Sequence, residues 1–541
     1  MKELSLETKK LINKYQLAKE YLKPKEGVST IHVDEFASKV ASFYEKLRII
    51  VDWKEEHLIR RTAIIRNLKR RFLDWEINEA PSKEKMAEPL VLELIRGGHF
   101  KNDSIEETKI DDVQKVIEKY ISIFKNKPEI KNKRERLQFY NWILEILACE
   151  IEETLSPFLK EQALIDYMFS SMKERIILDE KIISEKLIDE NEKNIQIYIA
   201  VQEALFKLDY PIITYNLFKY KYPKWREIKE NELEKISKNI INIWKEIEKH
   251  FSHPLGKKFY AICEKYDTPY LLLGDILNNE ENLDDISQKI SQPEILEELI
   301  KKYYKKRLFT LKNRLFRAAF YSTLSILLGN SVSLLILEIP LAKLITGAFT
   351  PITIVVDILG PTLLMFIFVA TIKLPPENNL NLVIMETMKI VYKTKDIDKY
   401  EIKIFRQKNA IIRFIIGIIY ILGAIISFGF IFLIFKATGF PPTSILINII
   451  FVALITFAGI AIRKRAQELS IEEKSSGLLG FMLDILILPV AGVGRWLADK
   501  WKRYNAIAAF FNALIDMPFS VFIEFLEKWR YFMKEKKEEI H

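Results

Sequence analysis

The chain has 541 residues, a length that favours more than one domain. Hydrophobic residues make up 49% and charged residues 29%, and the formal net charge is +9. Two cysteines exclude a disulfide framework, and 17 glycines indicate few tight turns. The first 300 residues are rich in Lys, Glu, Ile and Leu, so they predict long helices joined by short polar connections.

The most basic stretch of this polar region is DWKEEHLIRRTAIIRNLKRR, which includes Arg60, Arg61 and Arg70. Apolar residues recur between the bases at helical spacing, so the stretch predicts one helix. Beside a membrane, such a helix favours contact with anionic lipid headgroups, and no nucleic-acid partner is expected. The alternative is a packed helix whose charges pair with nearby acids.

Histidine is rare in the chain, and His250 and His253 lie close together. Glu246 precedes His250 by four residues, so the two side chains can share one helix face. Zinc sites use such residues, but the spacing supplies no third strong ligand. We interpret the pair as surface histidines at a helix end, with a metal-dependent membrane enzyme as the weaker alternative.

Several enzyme signatures are absent from the sequence. We find no GxxxxGK followed by Ser or Thr, no GxGxxG after a strand, no GxSxG and no HExxH. The polar region also lacks the Gly-rich stretches of most nucleotide-binding folds. No catalytic residue and no cofactor is therefore predicted, and a non-enzymatic function is favoured.

Four apolar stretches follow, each long enough to cross the ~30 Å hydrocarbon core of a bilayer as a helix. In the third stretch, Gly423 and Ser427 have the spacing that lets helices approach closely, although glycine is also simply commoner in membrane helices. The predicted spans cover about residues 315–337, 352–372, 411–435 and 445–462.

The charges of the connecting loops predict the orientation of these spans. Basic residues are concentrated before the first span, between the second and third, and after the fourth. The other two connections carry only Lys343 and Lys436 as bases. The positive-inside rule then places both termini on the cytoplasmic side of the cell membrane and two short loops outside.

A further apolar run, residues 477–494, contains Asp484 and Pro489 and precedes a cluster of bases. A full crossing would place those bases outside, against the pattern of the other loops. We therefore expect a broken, re-entrant or interfacial helix, with a fifth crossing as the alternative. Asp516 lies in a later segment of similar style. The aromatic residues expected to contact lipid at the interface are Trp496, Trp501 and Trp529.

Asp357 is the clearest acid within a predicted span, and Pro361 follows it by four residues. Because a proline at that spacing removes a helical donor, a carboxylate and a free carbonyl can lie together and bind a cation. The alternative is a shallow Asp357 that bonds to a neighbouring helix. For Asp484 and Asp516 interfacial capping or bending is favoured, and Glu338 is interpreted as a boundary residue.

Three runs of the sequence carry a resemblance to a known group of proteins. These are DWKEEHLIRRTAIIRNLKRR, HPLGKKFYAICEKYDTPYLLLGDIL and LEKWRYFMKEKKEE. The chain resembles a family of uncharacterised prokaryotic multi-pass membrane proteins, and the likeness covers most of its length. The resemblance implies no activity, partner or site residue.

The sequence thus predicts an all-α protein. It comprises a cytoplasmic helical domain (residues 1–300), a four-span bundle (301–465) and amphipathic or re-entrant helices (466–541). The favoured function is a membrane-anchored scaffold or regulatory protein that binds another protein or the lipid surface at the cytoplasmic face. The alternative is an ion or small-solute transporter or channel that uses Asp357 and Asp484.

Overall fold

A computed structural model describes most of the chain, and it is predominantly helical, as the sequence predicts. Three helices are long and apolar enough to cross a membrane: Pro293–Ile336, Phe414–Ala437 and Ser444–Ala466. The described residues are 2–22, 27–33, 56–72, 86–185, 187–279, 283–340, 344, 351–392, 398–403, 410–471, 478–503, 525, 529, 532 and 533.

The chain folds into two compact units. The polar unit comprises Leu6–Asp267, Asp398–Ile402 and Ile507–His541. The span unit comprises Met1–Ser5, Thr268–Ile397 and Lys403–Ala506. The division thus falls at Asp267, whereas the sequence placed it near residue 300.

The described elements of the polar unit are short and medium helices with two strands. They are α1 (Leu6–Tyr21), α2 (Glu56–Phe72), α3 (Ala87–Arg96), α4 (Thr108–Asn126), α5 (Lys133–Leu155), α6 (Leu159–Arg175), β1 (Ile176–Leu178), α7 (Glu180–Ser184), α8 (Glu190–Phe206), α9 (Tyr210–Lys221), a 3-10 turn (Trp225–Glu227), α10 (Glu230–Phe251), α11 (Gly256–Lys265) and β2 (Tyr400–Ile402).

Helix α5 is the centre of the polar unit and packs against α2, α4 and α9. Its first turn is capped by Asn132, whose side chain accepts the Arg134 N–H at 2.9 Å. Helix α10 is amphipathic. Its residues Ile236, Ile240 and Ile243 recur at helical spacing and are all buried. Strand β2 enters this unit by pairing with β1 in parallel, with Ile176 opposite Tyr400.

The span unit consists of longer and more apolar helices. They are α12 (Asp267–Asn279), α13 (Leu283–Ile290), α14 (Pro293–Ser333), a π turn (Leu334–Glu338), α15 (Pro351–Ala370), α16 (Asn378–Val391), α17 (Ala410–Ala437), α18 (Pro442–Ala466) and α19 (Leu478–Arg503).

Close approaches of backbone hold the apolar helices of the span unit together. Helix α15 packs against α14 and α18, and α19 packs against α17 and α18. A Cβ at Gly423 would lie 2.9 Å from the Ile485 carbonyl oxygen. The adjacent Ser427 hydroxyl lies 2.8 Å from the Leu486 carbonyl oxygen, to which it donates. These contacts confirm the close packing predicted from the Gly423 and Ser427 spacing.

One buried amide joins three segments of the span unit. The Nδ2 group of Asn379 donates to the Tyr304 hydroxyl at 3.0 Å and to the Leu469 carbonyl at 2.7 Å. Its Oδ1 atom accepts the Ile471 N–H at 2.8 Å. Because Asn379 has no exposed surface, these bonds satisfy groups that water does not reach. They fix α16 against α14 and the segment that follows α18.

Most of the large apolar side chains of α17 face away from the protein. Phe414 and Ile425 are 69% and 63% exposed, and Phe430 and Leu433 are similarly open. An exposed apolar surface of this extent is typical of contact with lipid. The described helices are therefore compatible with a membrane protein.

Candidate functional site

Five polar side chains from neighbouring helices meet inside the span unit. None of the five has any exposed surface, although the surrounding residues are mostly apolar. We call this group the polar cluster. Its members are Asn330 on α14, Glu338 in the π turn, Asp357 on α15, and Ser444 and Asn448 on α18.

Asp357 is the centre of the polar cluster. Pro361 has no N–H group, so the backbone carbonyl of Asp357 lacks its usual helical donor. This carbonyl accepts a hydrogen bond from Asn330 Nδ2. The Oδ1 atom of Asp357 accepts a second bond from Asn448 Nδ2. This bond to α18 agrees with the alternative stated from the sequence, in which Asp357 bonds to a neighbouring helix. It occupies only one of the two carboxylate oxygens of Asp357. The other, Oδ2, has no hydrogen-bond partner.

Glu338 is the second acid of the polar cluster. It ends the π turn, a rare backbone form that is frequent at functional sites. Its carboxylate lies within electrostatic range of Asp357 and near the hydroxyls of Ser333 and Ser444. Among the described residues, no well-aligned hydrogen bond reaches either of its oxygen atoms. Glu338 does lie at the end of an apolar helix, as the interpretation of a boundary residue expects, but its side chain is buried.

The polar cluster has more hydrogen-bond acceptors than its donors satisfy. Both asparagine amides turn an Nδ2 group toward Asp357, which leaves their Oδ1 atoms free. Among the described residues, no Lys, Arg or His forms an ion pair with Glu338 or Asp357. The unpaired buried oxygens are Asn330 Oδ1, Glu338 Oε1 and Oε2, Asp357 Oδ2, Ser444 Oγ and Asn448 Oδ1.

The polar cluster lies near one end of the helix bundle. Asp357 and Asn448 are each six residues from the start of their helices, or ~9 Å along the helix axis. Glu338 lies at the end of the preceding apolar helix, at a comparable level. The oxygens therefore lie within the apolar helices but close to their ends.

The sequence identified Asp357 but missed its neighbours. Ser444 and Asn448 share one helix face because they are four residues apart, and this spacing was the available signal. Asn330 stands as a single amide in an apolar stretch. Asp484 lies on α19, but its side chain is outside the described part of the structure. Asp516 lies outside the described residues altogether.

Helix α19 differs from the broken helix expected for residues 477–494. It runs without interruption from Leu478 to Arg503, with Pro489 inside it. This helix packs tightly against α18, since a Cβ at Gly494 would overlap the Ala453 carbonyl oxygen. Trp496 is 59% exposed and Trp529 is 50% exposed. The side chain of Trp501 is outside the described part of the structure.

The basic helix α2 is packed inside the polar unit. Arg61 is only 3% exposed and pairs with Asp209, so its predicted contact with lipid is wrong. Arg70 pairs with Glu93, which leaves about half of its side chain exposed. Arg60 lies over the Phe100 ring, 5.5 Å from its centroid. The alternative of a packed helix with paired charges therefore describes α2 at Arg61 and Arg70, but their partners come from other helices and not from acids beside them in the sequence.

The candidate metal ligands lie at the end of α10. His250 Nδ1 is 2.8 Å from Glu192 Oε2, and His250 Nε2 is 3.9 Å from Glu246 Oε1. His253 Nδ1 accepts the Leu255 N–H at 3.3 Å. In the described ranges, no group of three or more His, Cys, Asp or Glu side chains is arranged to hold a metal ion. These contacts give each histidine a structural partner.

The polar unit contains a groove of about 620 Å³ between α5, α9 and α10. Its aromatic lining includes Trp142, Trp244 and Tyr210, and its acids include Glu145 and Glu248. The indole N–H groups of Trp142 and Trp244 are themselves buried, and that of Trp142 lies near the Tyr210 hydroxyl. The groove thus combines an aromatic lining with charged side chains of both signs.

Three acids on α5 are buried in different electrostatic surroundings. Glu150 accepts bonds from Tyr120 and the Trp225 indole, each at 2.8 Å, and pairs with Lys119. Burial raises the pKa of Glu152 to about 7, although the charge of Arg61 lowers it. Burial also opposes the ionisation of Glu153, but the charges of Lys219 and Arg226 outweigh it and lower its pKa.

Comparisons of the chain with protein-family models, curated proteins and solved structures found no match. The family resemblance of the three sequence runs therefore stays a prediction.

Substitution of the neighbouring acids Glu152 and Glu153 should change the free energy of unfolding in opposite directions. The folded-state pKa of Glu152 is about 7, above its unfolded value. Its contribution to stability is therefore greatest below pH ~4.5 and is lost as the pH rises through 7. Glu152→Gln should raise the free energy of unfolding at pH 8, by at most about 3 kcal/mol. Glu153→Gln should lower it by about 2 kcal/mol because it breaks two charged contacts.

Urea unfolding of the full chain in detergent, followed by tryptophan fluorescence at pH 5 and pH 8, measures both effects. Each variant is the control for the other, because both remove one charge from the same turn of α5. Equal destabilisation by the two variants at pH 8 would contradict the assignment.

Proposed function

We propose that the protein is an integral membrane protein that transports or conducts an inorganic cation through its helix bundle. The observation that carries this proposal is the polar cluster, in which Glu338 and Asp357 are buried and pair with no base among the described residues. Ionisable groups inside a membrane are costly and typically mark an ion or proton pathway. The unpaired oxygens around them are ligands that suit such an ion.

The proposed bundle has four spans, with both termini on the cytoplasmic side of the cell membrane. Three of them are the long apolar helices, and the fourth is α15, whose described apolar part is Ile354–Ala370. That part is short for a complete crossing, but α15 packs between α14 and α18 and carries Asp357. The distribution of bases over the loops supports the orientation, and anionic headgroups are the expected lipid contacts.

In this orientation the polar cluster lies near the outer end of the bundle. A cation that enters it would exchange part of its hydration shell for carboxylate, amide and hydroxyl oxygens. Asn330 and Asn448 hold Asp357 in place through its carbonyl and its Oδ1 atom. The free Oδ2 atom and the Glu338 carboxylate are then the charged ligands.

A second candidate function is a scaffold or regulatory protein that acts through the polar unit. The groove with its aromatic and charged lining favours this candidate, because it offers a defined place for a partner. The two candidates are compatible within one chain, since a binding unit can regulate a pathway. They differ in whether the span unit has an activity of its own.

Labelling of introduced cysteines with a membrane-impermeant reagent tests the orientation. A cysteine at the exposed Thr438 should be labelled from outside, whereas one at the exposed Lys399 should not. Lys500→Cys should also stay unlabelled if α19 remains on the cytoplasmic side. The native Cys149 and Cys263 are buried and give little background. Outside labelling at Lys399 would contradict the orientation, and labelling at Lys500 would show that α19 crosses.

Cation flux into vesicles that contain the purified full chain tests transport. Fluxes of Na⁺, K⁺, Mg²⁺, Ca²⁺ and Mn²⁺ should be compared for the wild type, Asp357→Asn and Glu338→Gln. We expect flux of at least one cation to fall about tenfold or more in both variants, because each removes a charged ligand. Glu377→Gln, an exposed acid of the same unit, should keep wild-type flux. Absence of flux for every cation in the wild type would contradict transport and leave the scaffold candidate.

A further inference from the structure

The oxygen atoms of the polar cluster also indicate what kind of ion it binds. We propose that the polar cluster is a binding site for a hard divalent cation such as Ca²⁺, Mg²⁺ or Mn²⁺. This inference rests on the proposed function for the location of the site inside the bilayer. What it adds is the charge and the chemical class of the bound ion. A binding experiment can test both without any measurement of flux.

The first argument is the count of donors and acceptors. The hydrogen bonds of Asn330 and Asn448 are directed to Asp357, and one further Nδ2 bond of Asn448 goes to the Ser444 carbonyl at 3.1 Å. Six oxygen atoms make no well-aligned hydrogen bond with the described residues, and all six are buried. One of them, Ser444 Oγ, carries its own proton and lies near Glu338, as does the Ser333 hydroxyl, so the five carboxylate and amide oxygens still outnumber the nearby donors. Buried acceptors without donors are costly unless something electropositive contacts them. Six oxygens also match the lower coordination number of Ca²⁺ and the octahedral preference of Mg²⁺.

The second argument is charge. The cluster has two carboxylates, and no base pairs with either in the part of the chain that the structure describes. Two ionised carboxylates carry two negative charges, and one divalent cation neutralises both at once. A monovalent cation would leave one uncompensated charge in an apolar layer, so it would need a proton as well. A single divalent ion is the simpler match.

The third argument is the chemistry of the ligands. The polar cluster contains carboxylate, amide and hydroxyl oxygens, and no thiolate or imidazole is among its members. Such ligands favour Mg²⁺, Ca²⁺ and Mn²⁺, whereas Zn²⁺ and Cu²⁺ prefer nitrogen and sulfur. Asn330 and Asn448 act as ligands through Oδ1 and as supports of Asp357 through Nδ2. The amides therefore have a positioning role beside their place in the coordination sphere.

Binding of Mn²⁺ to the untagged full chain in detergent tests this proposal. The electron paramagnetic resonance signal of free Mn²⁺ reports how many ions are bound per chain. We expect one tight site, from which Ca²⁺ or Mg²⁺ displaces Mn²⁺ and an equal concentration of Na⁺ does not. Asp357→Asn and Glu338→Gln should each weaken binding at least about tenfold. The matched control Glu377→Gln should bind like the wild type.

Ser444→Ala serves as a milder variant in case a carboxylate variant does not fold, which circular dichroism and size-exclusion chromatography would show. It removes one neutral ligand and should weaken Mn²⁺ binding severalfold. Unchanged affinity in folded Asp357→Asn, equal displacement by Na⁺, or no binding to the wild type would overturn the proposal. The last result would indicate a protonated pair of acids held by hydrogen bonds.

The outcomes separate this inference from the proposed function. Tight Mn²⁺ binding that depends on Asp357, without flux of any cation, would support the site and contradict transport. Flux of Na⁺ or K⁺ that depends on Asp357, without Mn²⁺ binding, would support transport and contradict the divalent site.

Discussion

The span unit buries two carboxylates with which no basic side chain of the described residues is paired. Glu338 and Asp357 lie on different helices, yet both are fully removed from solvent and within electrostatic range of each other. A charge buried in this way is strongly destabilising unless another charge, a proton or a metal ion compensates it. The same two residues join α14, α15 and α18, so what compensates their charge also determines how these helices pack.

The polar unit handles its buried acids differently. Glu150 on α5 is paired with Lys119 and accepts two further hydrogen bonds. Glu153 is paired with Lys219 and Arg226. Within the described ranges, the acids of the polar unit thus have basic partners and the two acids of the polar cluster have none. The two acids of the polar cluster therefore need another source of compensating charge.

Periodicity and loop charge predict those features of the fold that the local sequence determines. The helical class, the apolar helices, Asp357 and the close packing at Gly423 all follow from residue types and spacing. The neighbours of Asp357 could not be predicted, because Glu338, Asn330 and Asn448 reach it from other helices. The burial of Arg61 was missed for a related reason, since its partner Asp209 lies 148 positions along the chain. The course of α19 past Pro489 was missed as well, because the contact of Gly494 with Ala453 joins residues far apart in the sequence.

The state of the two carboxylates is the central claim, and infrared difference spectroscopy of the full chain in lipid membranes tests it most directly. Removal of divalent cations by a chelator should produce the carbonyl band of a protonated carboxyl group, because two uncompensated carboxylates cannot both stay ionised in an apolar layer. Readdition of Mn²⁺ should abolish that band, and Asp357→Asn should reduce it. A spectrum of the wild type that neither chelator nor Mn²⁺ changes would contradict the account.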